Sequence, residues 1–357
     1  MNWLGAFMPL RMTSVVLLCI GGLIGAVGAM MGRKRRTSTS DESPDFKGIA
    51  EMNKERIGFI GLGNMGGRMA RRLVDAGIAV LGYDTAPERV KAAGAQAAAS
   101  IADVMKFADV VMMSLPDSKV VEAVVEGEGG VLAHCRAGQI VVDLSTAAAS
   151  STIRLARRFT QTGVQYVDAG ISGGAAAAEK GTLTLMVGGD ASAVEALKWA
   201  FAPISSKVAH MGESGAGHTT KLLNNFLNAV SLAASAEVMV AGKKAGLDLH
   251  LLLDVLNSSS GVNFATLNRF PKIVDGDYLE GGLTGKLMTK DVVLYVDRAR
   301  ELGVVSLNAA GPLASFGLGT ALGYGDVISN RVVDAIGDVS GGVRLYDGKI
   351  RKEEKQA

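Results

Sequence analysis

The chain has 357 residues, of which 48% are hydrophobic and 20% charged, with only 7 prolines, a composition typical of a globular protein long enough for two domains. A net charge of +2 and 5% aromatic residues argue against a nucleic-acid surface, and two cysteines are too few for a disulfide framework. The four histidines show no metal-ligand spacing, so we expect neither a metal ion nor a nucleic-acid partner.

The N-terminal extension, residues 1–51, contains an uncharged apolar run at 12–32 that is followed at once by the basic residues 33–36. The run is long enough to span a bilayer, and the basic flank would leave the following domain in the cytoplasm. A cleaved secretory signal is disfavoured because the basic residues follow the apolar core. Met52 shortly precedes the first predicted strand. We therefore keep two hypotheses for the extension, a membrane anchor and a mis-assigned start of a cytoplasmic protein.

Residues 56–84 predict a strand, a glycine turn, a helix and a second strand. In a G-x-G-x-x-G pattern the first glycine, here Gly61, permits a tight turn, the second lets the backbone approach a pyrophosphate, and the third lets the helix pack on the strand. The free N–H groups at the start of that helix bind the anion. The pattern therefore predicts a dinucleotide site, with cofactor-binding candidates Gly61, Leu62, Gly63, Asn64, Met65 and Gly66.

Asp84 ends the second predicted strand about 20 residues after the glycines, where an acid that binds the ribose hydroxyls belongs. Its carboxylate would repel the 2′-phosphate of NADP, and the next residue is Thr85 instead of an arginine. We therefore expect NAD to be preferred over NADP. The alternative is an aspartate that only starts a turn before Pro87.

After Asp84 the chain alternates between strand and helix. Apolar runs predict strands at 108–115, 139–144, 165–169 and 182–187, which indicates a doubly wound parallel sheet with ligands at the carboxyl ends of its strands.

From residue 215 the periodicity becomes helical. A proline-free stretch, 217–244, predicts one long helix, and further helices are expected at 249–256, 283–302 and 312–322. The predicted fold class is therefore α/β, a Rossmann doubly wound parallel sheet followed by an all-α domain joined by a long interdomain helix. The expected domains are a dinucleotide-binding domain at 52–216, a helical substrate and oligomerisation domain at 217–346, and a tail at 347–357.

Lys221 and Asn225 are four residues apart on the long helix, so both project from one face. A lysine on a helix is usually a solvated charge. Here the glycine-containing sequence at 215–217 allows a close backbone approach, and the helix begins where the sheet domain ends, which favours a functional role.

Six ordered motifs together resemble those of the β-hydroxyacid dehydrogenases, the group that contains 3-hydroxyisobutyrate dehydrogenase, tartronate semialdehyde reductase and glyoxylate/succinic semialdehyde reductases. They are GLGNMGGRMARRL, LPDS, DLST, DAGISGGAAAAEKGTLTLMVGG, GAGHTTKLLNN and KLMTKD. The resemblance covers roughly residues 56–344. It implies a Rossmann domain followed by a helical domain, and hydride transfer between NAD(H) and a small 3-hydroxy acid or its semialdehyde.

The resemblance also implies roles for individual residues. Lys221 matches the catalytic lysine that exchanges a proton with the substrate hydroxyl, and Asn225 its partner in the substrate site. The substrate carboxylate would be held by Ser172, Gly173 and Gly174, and the cofactor would be contacted by Leu115, Pro116, Thr146 and Lys290. Oxidation of an alcohol requires such a base, and a lysine can serve if burial or a nearby positive charge lowers its pKa.

The chain departs from the family pattern at Gly170, where many members have proline, and at 147–149, where alanines replace a proline that often follows the Ser-Thr pair. We expect both changes to loosen loops and to affect which substrate is used. Two alternatives are an imine reductase, which generally lacks the lysine, and a non-catalytic NAD-binding protein, which could lose Lys221 or Asn225 freely. We also expect a homo-oligomer, either a dimer or a tetramer.

Overall fold

The computed structural model describes residues 56–279 and 282–348. Within these ranges a single eight-stranded sheet is followed by a helical region. The strands are β1 (Arg56–Ile60), β2 (Ala79–Tyr83), β3 (Gln96–Ala97), β4 (Val110–Met113), β5 (Ile140–Asp143), β6 (Gln165–Ser172), β7 (Leu183–Gly188) and β8 (Ser205–Gly212). Their order is β3-β2-β1-β4-β5-β6-β7-β8.

The first six strands are parallel and have the order 3-2-1-4-5-6, which is the dinucleotide-binding arrangement. All four residues of β4 and of β5 are buried, because helices cover both faces of the sheet. The strand order reverses between β1 and β4, so the crevice for a ligand lies at the carboxyl ends of these two strands. The predicted fold class is confirmed.

The sheet differs from the prediction of a wholly parallel one, because β7 runs antiparallel to β6 and β8 is parallel to β7. A parallel crossover needs roughly a dozen residues or more, and the short connection 173–182 allows only a direct return. The prediction also missed β3 and β8. Both lie at the edges of the sheet, and most of their residues are exposed or half-buried, so no apolar run marks them.

Helices pack on both faces of the sheet. They are α1 (Asn64–Asp75), α2 (Pro87–Ala92), α3 (Ile101–Phe107), α4 (Ser118–Glu126), α5 (Val131–His134), α6 (Ala149–Thr160), α7 (Gly174–Lys180), α8 (Ala191–Ala196) and α9 (Lys198–Phe201). Alternate residues of β1 enter the two apolar layers: Ile57 and Phe59 pack in one layer with Phe201, and Ile60 packs in the other with Phe159.

The helical region consists of α10 (Ala216–Lys244), α11 (Leu249–Asn257), α12 (Phe264–Asn268), α13 (Phe270–Ile273), α14 (Gly285–Glu301), α15 (Ala310–Ala321) and α16 (Val332–Val339), with short 3₁₀ helices at Leu307–Ala309 and Ser329–Arg331. The 29 residues of α10 give a length of about 43 Å. Its first turns pack on β6 and β7, and the rest packs on α12, α14, α15 and α16. The long interdomain helix is thus present as predicted, and it brings residues of both parts of the chain together.

The apolar run 12–32, which predicted either a membrane anchor or a mis-assigned start, lies outside the described residues. Within the two ranges that are described, no helix is both long and apolar enough to cross a membrane.

Candidate active site

The glycine turn after β1 has the geometry that the sequence predicts. Gly61 has a φ of +85°, and a Cβ there would lie 2.4 Å from the Ser114 carbonyl oxygen. A Cβ on Gly66 would lie 2.0 Å from the Gly61 carbonyl oxygen, so only glycine lets α1 pack against the turn. A Cβ on Gly63 would meet nothing within 4 Å, and Gly63 precedes α1 without a side-chain cap. Open space in front of an uncapped helix N-terminus fits a phosphate group.

The neighbouring candidates have different surroundings. The Asn64 side chain accepts a hydrogen bond from Arg68, and Met65 packs partly against the apolar layer beside β1. Leu62 is buried, and its backbone N–H donates to Oδ2 of Asp84 over 2.7 Å.

Asp84 ties the end of β2 to the glycine turn. Besides Leu62, its carboxylate accepts from the Ala86 N–H over 2.9 Å. Arg89 approaches Oδ1 at 3.4 Å with a side chain that is 54% exposed. The prediction from the sequence considered a cation only at position 85 and missed Arg89, which lies four residues, or about one helical turn, further along the chain.

The predicted residues after β4 and β5 are brought together with Lys290 of α14. Lys290 Nζ donates to the carbonyl oxygen of Pro116 over 3.2 Å and to that of Thr146 over 3.0 Å. Ser145, which belongs to the DLST motif but was given no role, accepts from the Leu115 N–H over 2.9 Å. The lysine of the helical region therefore bridges the two loops that border the crevice.

Lys221 lies on α10 where that helix meets β6. A Cβ on Gly170 would lie 2.5 Å from Lys221 Cβ, so the absence of a side chain at 170 permits this packing. Ser172 is two residues further along β6, hence on the same face of the sheet as the lysine. The first turn of α10 is held by Asp168, whose carboxylate accepts from the N–H groups of Gly215 and His218, each over 2.7 Å.

Burial lowers the pKa of Lys221 from 10.5 to about 8. The nearby carboxylate of Asp291 opposes this change, and the ammonium of Lys290 adds to it. Lys221 makes no hydrogen bond or ion pair with any residue in the described ranges. Its amine is therefore free to exchange a proton with a ligand near neutral pH.

Asp291 was part of a motif in the sequence but was given no role of its own. It is 1% exposed, accepts a hydrogen bond from the Asn225 amide, and lies 3.2 Å from Lys290 Nζ. It thus connects the predicted substrate residue Asn225 with the predicted cofactor residue Lys290. The signal available in the sequence was an aspartate with apolar neighbours at helical spacing, Met288 three residues before it and Val292 directly after it.

Ser172, Gly173 and Gly174 form the turn between β6 and α7. Gly173 and Gly174 have φ angles of +127° and +69°, and a Cβ on Gly174 would meet nothing within 4 Å. A hydroxyl and backbone amides next to open space can bind a carboxylate.

The expectation that the departures from the family pattern loosen loops is not met. Gly170 is buried inside β6, and Ala149 begins α6. Ala147 is 1% exposed, and the Ala148 N–H donates to Ser118 Oγ over 2.8 Å. These positions lie in regular or tightly bonded structure because small side chains are packed there. Within the described ranges, no group of three or more His, Cys, Asp or Glu side chains is placed to hold a metal ion.

Two family models match the chain. The NAD-binding domain of 6-phosphogluconate dehydrogenase matches residues 56–212, and the NAD-binding domain of NADP-dependent 3-hydroxyisobutyrate dehydrogenase matches residues 215–321.

Among characterised relatives, the 2-(hydroxymethyl)glutarate dehydrogenase of Eubacterium barkeri is 37% identical over 274 residues, 76% of this chain and 91% of the relative. The NAD-dependent L-serine dehydrogenase of Pseudomonas aeruginosa is 38% identical over 256 residues, 69% of this chain and 86% of the relative. Among solved structures, Mycobacterium tuberculosis 3-hydroxyisobutyrate dehydrogenase with L-serine superposes with a TM-score of 0.73 at 30% identity, covering 79% of this chain and 99% of that one.

Proposed function

Since the chain belongs to the β-hydroxyacid dehydrogenase family, NAD(P)-dependent enzymes that act on CH–OH groups, we propose that it transfers a hydride between NAD(H) and a small 3-hydroxy acid or its semialdehyde. The observation that carries this proposal is the free amine of Lys221, with its pKa lowered to about 8, on the same side of the sheet as Ser172.

In the oxidation direction, the neutral amine of Lys221 takes the proton of the substrate hydroxyl as the C–H bond breaks. NAD⁺, when bound, accepts the hydride. In the reduction direction the ammonium returns the proton to the forming alkoxide. A pKa near 8 lets one side chain act in both directions, because both protonation states are populated near neutral pH.

The substrate carboxylate would bind at Ser172, Gly173 and Gly174, where a hydroxyl and amides adjoin open space. Asn225 would orient the hydroxyl, since its amide is fixed by the bond to Asp291.

We assign the pyrophosphate of the cofactor to the turn formed by Gly61, Leu62, Gly63, Asn64, Met65 and Gly66. Asp84 would accept from the adenosine ribose, and Leu115, Pro116 and Thr146, held by Lys290, would border the nicotinamide.

The test is oxidation by the purified chain, followed by NADH absorbance, of 3-hydroxyisobutyrate, L-serine and 2-(hydroxymethyl)glutarate, and reduction of the matching semialdehydes. We expect turnover of at least one of these pairs in both directions. Reduction of a cyclic imine by an enzyme that turns over none of these compounds would contradict the proposal and support the imine reductase alternative.

Preference for NAD over NADP is part of the proposal. The Asp84 carboxylate would lie against the 2′-phosphate of NADP, so we expect kcat/KM to favour NAD(H) by roughly tenfold or more. Asp84→Ala should narrow this gap. Arg89→Ala is the matched control, because it removes the cation beside Asp84 and should widen the gap. Equal use of both cofactors by the unmodified enzyme would refute the preference.

A further inference from the structure

Arg269, between α12 and α13, has a charge without a counter-ion in the described ranges. Its guanidinium donates to Oδ1 of Asn330 over 2.6 Å and to Oδ1 of Asn228 over 3.0 Å, and it lies 5.8 Å from the centre of the Phe264 ring. Both hydrogen-bond partners are neutral amides. By contrast, the neighbouring Arg331 pairs with Asp334 at 3.0 Å.

Burial lowers the pKa of Arg269 from 12.5 to about 10, with no opposing carboxylate. The side chain remains protonated at neutral pH, so the protein holds a desolvated positive charge. Such a charge is costly unless an anion compensates it, and the planar guanidinium suits a carboxylate. Two of its five N–H groups are occupied in the bonds to asparagine, so others are available to a ligand.

The position of Asn228 connects this charge with the candidate active site. Asn228 follows Lys221 by seven residues on α10, which places the two on one face of the helix, two turns or about 10.5 Å apart. Asn225 lies between them. A polar stripe therefore runs along α10 from the amine of Lys221 to the guanidinium of Arg269.

We propose that Arg269 binds a second carboxylate at the far end of the substrate, so that the preferred substrate is a dicarboxylic hydroxy acid or its semialdehyde. This inference rests on the proposed function. One carboxylate lies at Ser172, Gly173 and Gly174, the hydroxyl lies at Lys221, and the second carboxylate lies at Arg269. The two-turn spacing on α10 accommodates a short carbon chain between the reacting end and the distal acid.

Three compounds that share the hydroxymethyl acid test this assignment. 2-(Hydroxymethyl)glutarate has a distal carboxylate, 2-(hydroxymethyl)pentanoate replaces it with a methyl-terminated chain, and 3-hydroxyisobutyrate has only a methyl group. We expect kcat/KM with NAD⁺ to favour the glutarate over the pentanoate by about tenfold or more, as for a charge-assisted hydrogen bond. A ratio near one in the unmodified enzyme would overturn the proposal.

Variants test whether Arg269 causes the preference for 2-(hydroxymethyl)glutarate over 2-(hydroxymethyl)pentanoate. Arg269→Met, which keeps an unbranched apolar side chain but removes the guanidinium, should reduce the glutarate-to-pentanoate ratio by roughly 10- to 100-fold, and Arg269→Lys should retain part of it. Arg300→Met, at an exposed arginine of α14, is the matched control and should leave the ratio unchanged. Equal losses on all three compounds in Arg269→Met would mean a purely structural role and would overturn the assignment.

A binding measurement separates this inference from the proposed function. Unsubstituted glutarate and butyrate, which lack the hydroxymethyl group, are titrated calorimetrically into the NADH-loaded enzyme. Glutarate, which has the second carboxylate, should bind at least about tenfold more tightly than butyrate, and Arg269→Met should remove this difference in affinity. If no hydroxy acid is oxidised but this difference is present, the proposed function fails and the anion site stands. If hydroxy acids are oxidised but glutarate binds no better than butyrate, the anion site fails and the proposed function stands.

Discussion

Three influences set the pKa of Lys221, and they do not all act in the same direction. Burial favours the neutral amine, the carboxylate of Asp291 favours the ammonium, and the positive charge of Lys290 again favours the amine. The balance leaves a pKa of about 8, between a solvated lysine and a fully neutral one.

Lys221→Ala should lower kcat by about 10²- to 10⁴-fold, because the proton acceptor is lost. NADH affinity, measured by fluorescence titration, should change little, since the glycine turn and Asp84 are untouched. Lys221→Arg should not restore activity, because a guanidinium does not deprotonate. Lys198→Ala, at an exposed lysine, serves as the control. Activity of Lys221→Ala within a few-fold of the unmodified enzyme at every pH would exclude the lysine as the proton-transfer group.

The rates of oxidation and of reduction should depend on pH in opposite directions. Oxidation needs the neutral amine, so its rate should rise with pH through about 8 and then level, whereas reduction should fall through the same range. Asp291 raises the pKa of Lys221, so Asp291→Asn should move both profiles to lower pH. Asp326→Asn, at a carboxylate that is 81% exposed, should move neither. A shift to higher pH in Asp291→Asn would contradict the assigned electrostatics.

At the scale of elements, the contact between α10 and the sheet determines where Lys221 lies. A Cβ on Gly217 would lie 2.4 Å from the Met186 carbonyl oxygen, and Gly170 is equally confined by Lys221. Asp168 fixes the start of the helix through two backbone N–H groups. Small residues and one buried carboxylate thus bring the helix and the strand into direct contact.

Gly170→Ala should disturb this contact, because its Cβ would lie 2.5 Å from Lys221 Cβ and the helix would have to shift. We expect a loss of about 1–3 kcal/mol in the free energy of unfolding, measured with urea, together with a lower kcat. Gly317→Ala on α15 is the control: its Cβ would meet nothing within 4 Å, so stability should be unchanged or higher. Unaltered stability and kcat in Gly170→Ala would show that the contact between α10 and β6 accommodates a methyl group at position 170.

At the scale of the whole molecule, every candidate residue lies between β1 and α14, so the described part of the chain supplies all of the proposed site. A chain that starts at Met52 should therefore fold and retain kcat/KM close to that of the full chain. Circular dichroism and NADH-coupled assays on both chains test this. An unfolded or inactive shortened chain would mean that residues 1–51 contribute to the folded enzyme.

Local sequence was sufficient to predict the main helices and strands and to show where the candidate residues lie along the chain. The glycine pattern, the apolar runs of β4 and β5, and the uninterrupted helical period of α10 each depend on neighbouring residues, so each can be detected along the chain. The roles of Lys221 and Asn225 were inferred from family motifs and stay predictions.

Tertiary structure determined how these elements pair and which of their side chains come into contact. The reversed direction of β7 depends on the length of a connection, and the exposed strand β8 gives no apolar signal. The contact of Gly170 with Lys221 and the bond between Asn225 and Asp291 link residues that are far apart in sequence. Periodicity reports only which face of an element is buried, whereas the pKa of a lysine and the partner of an arginine depend on which other faces pack against it.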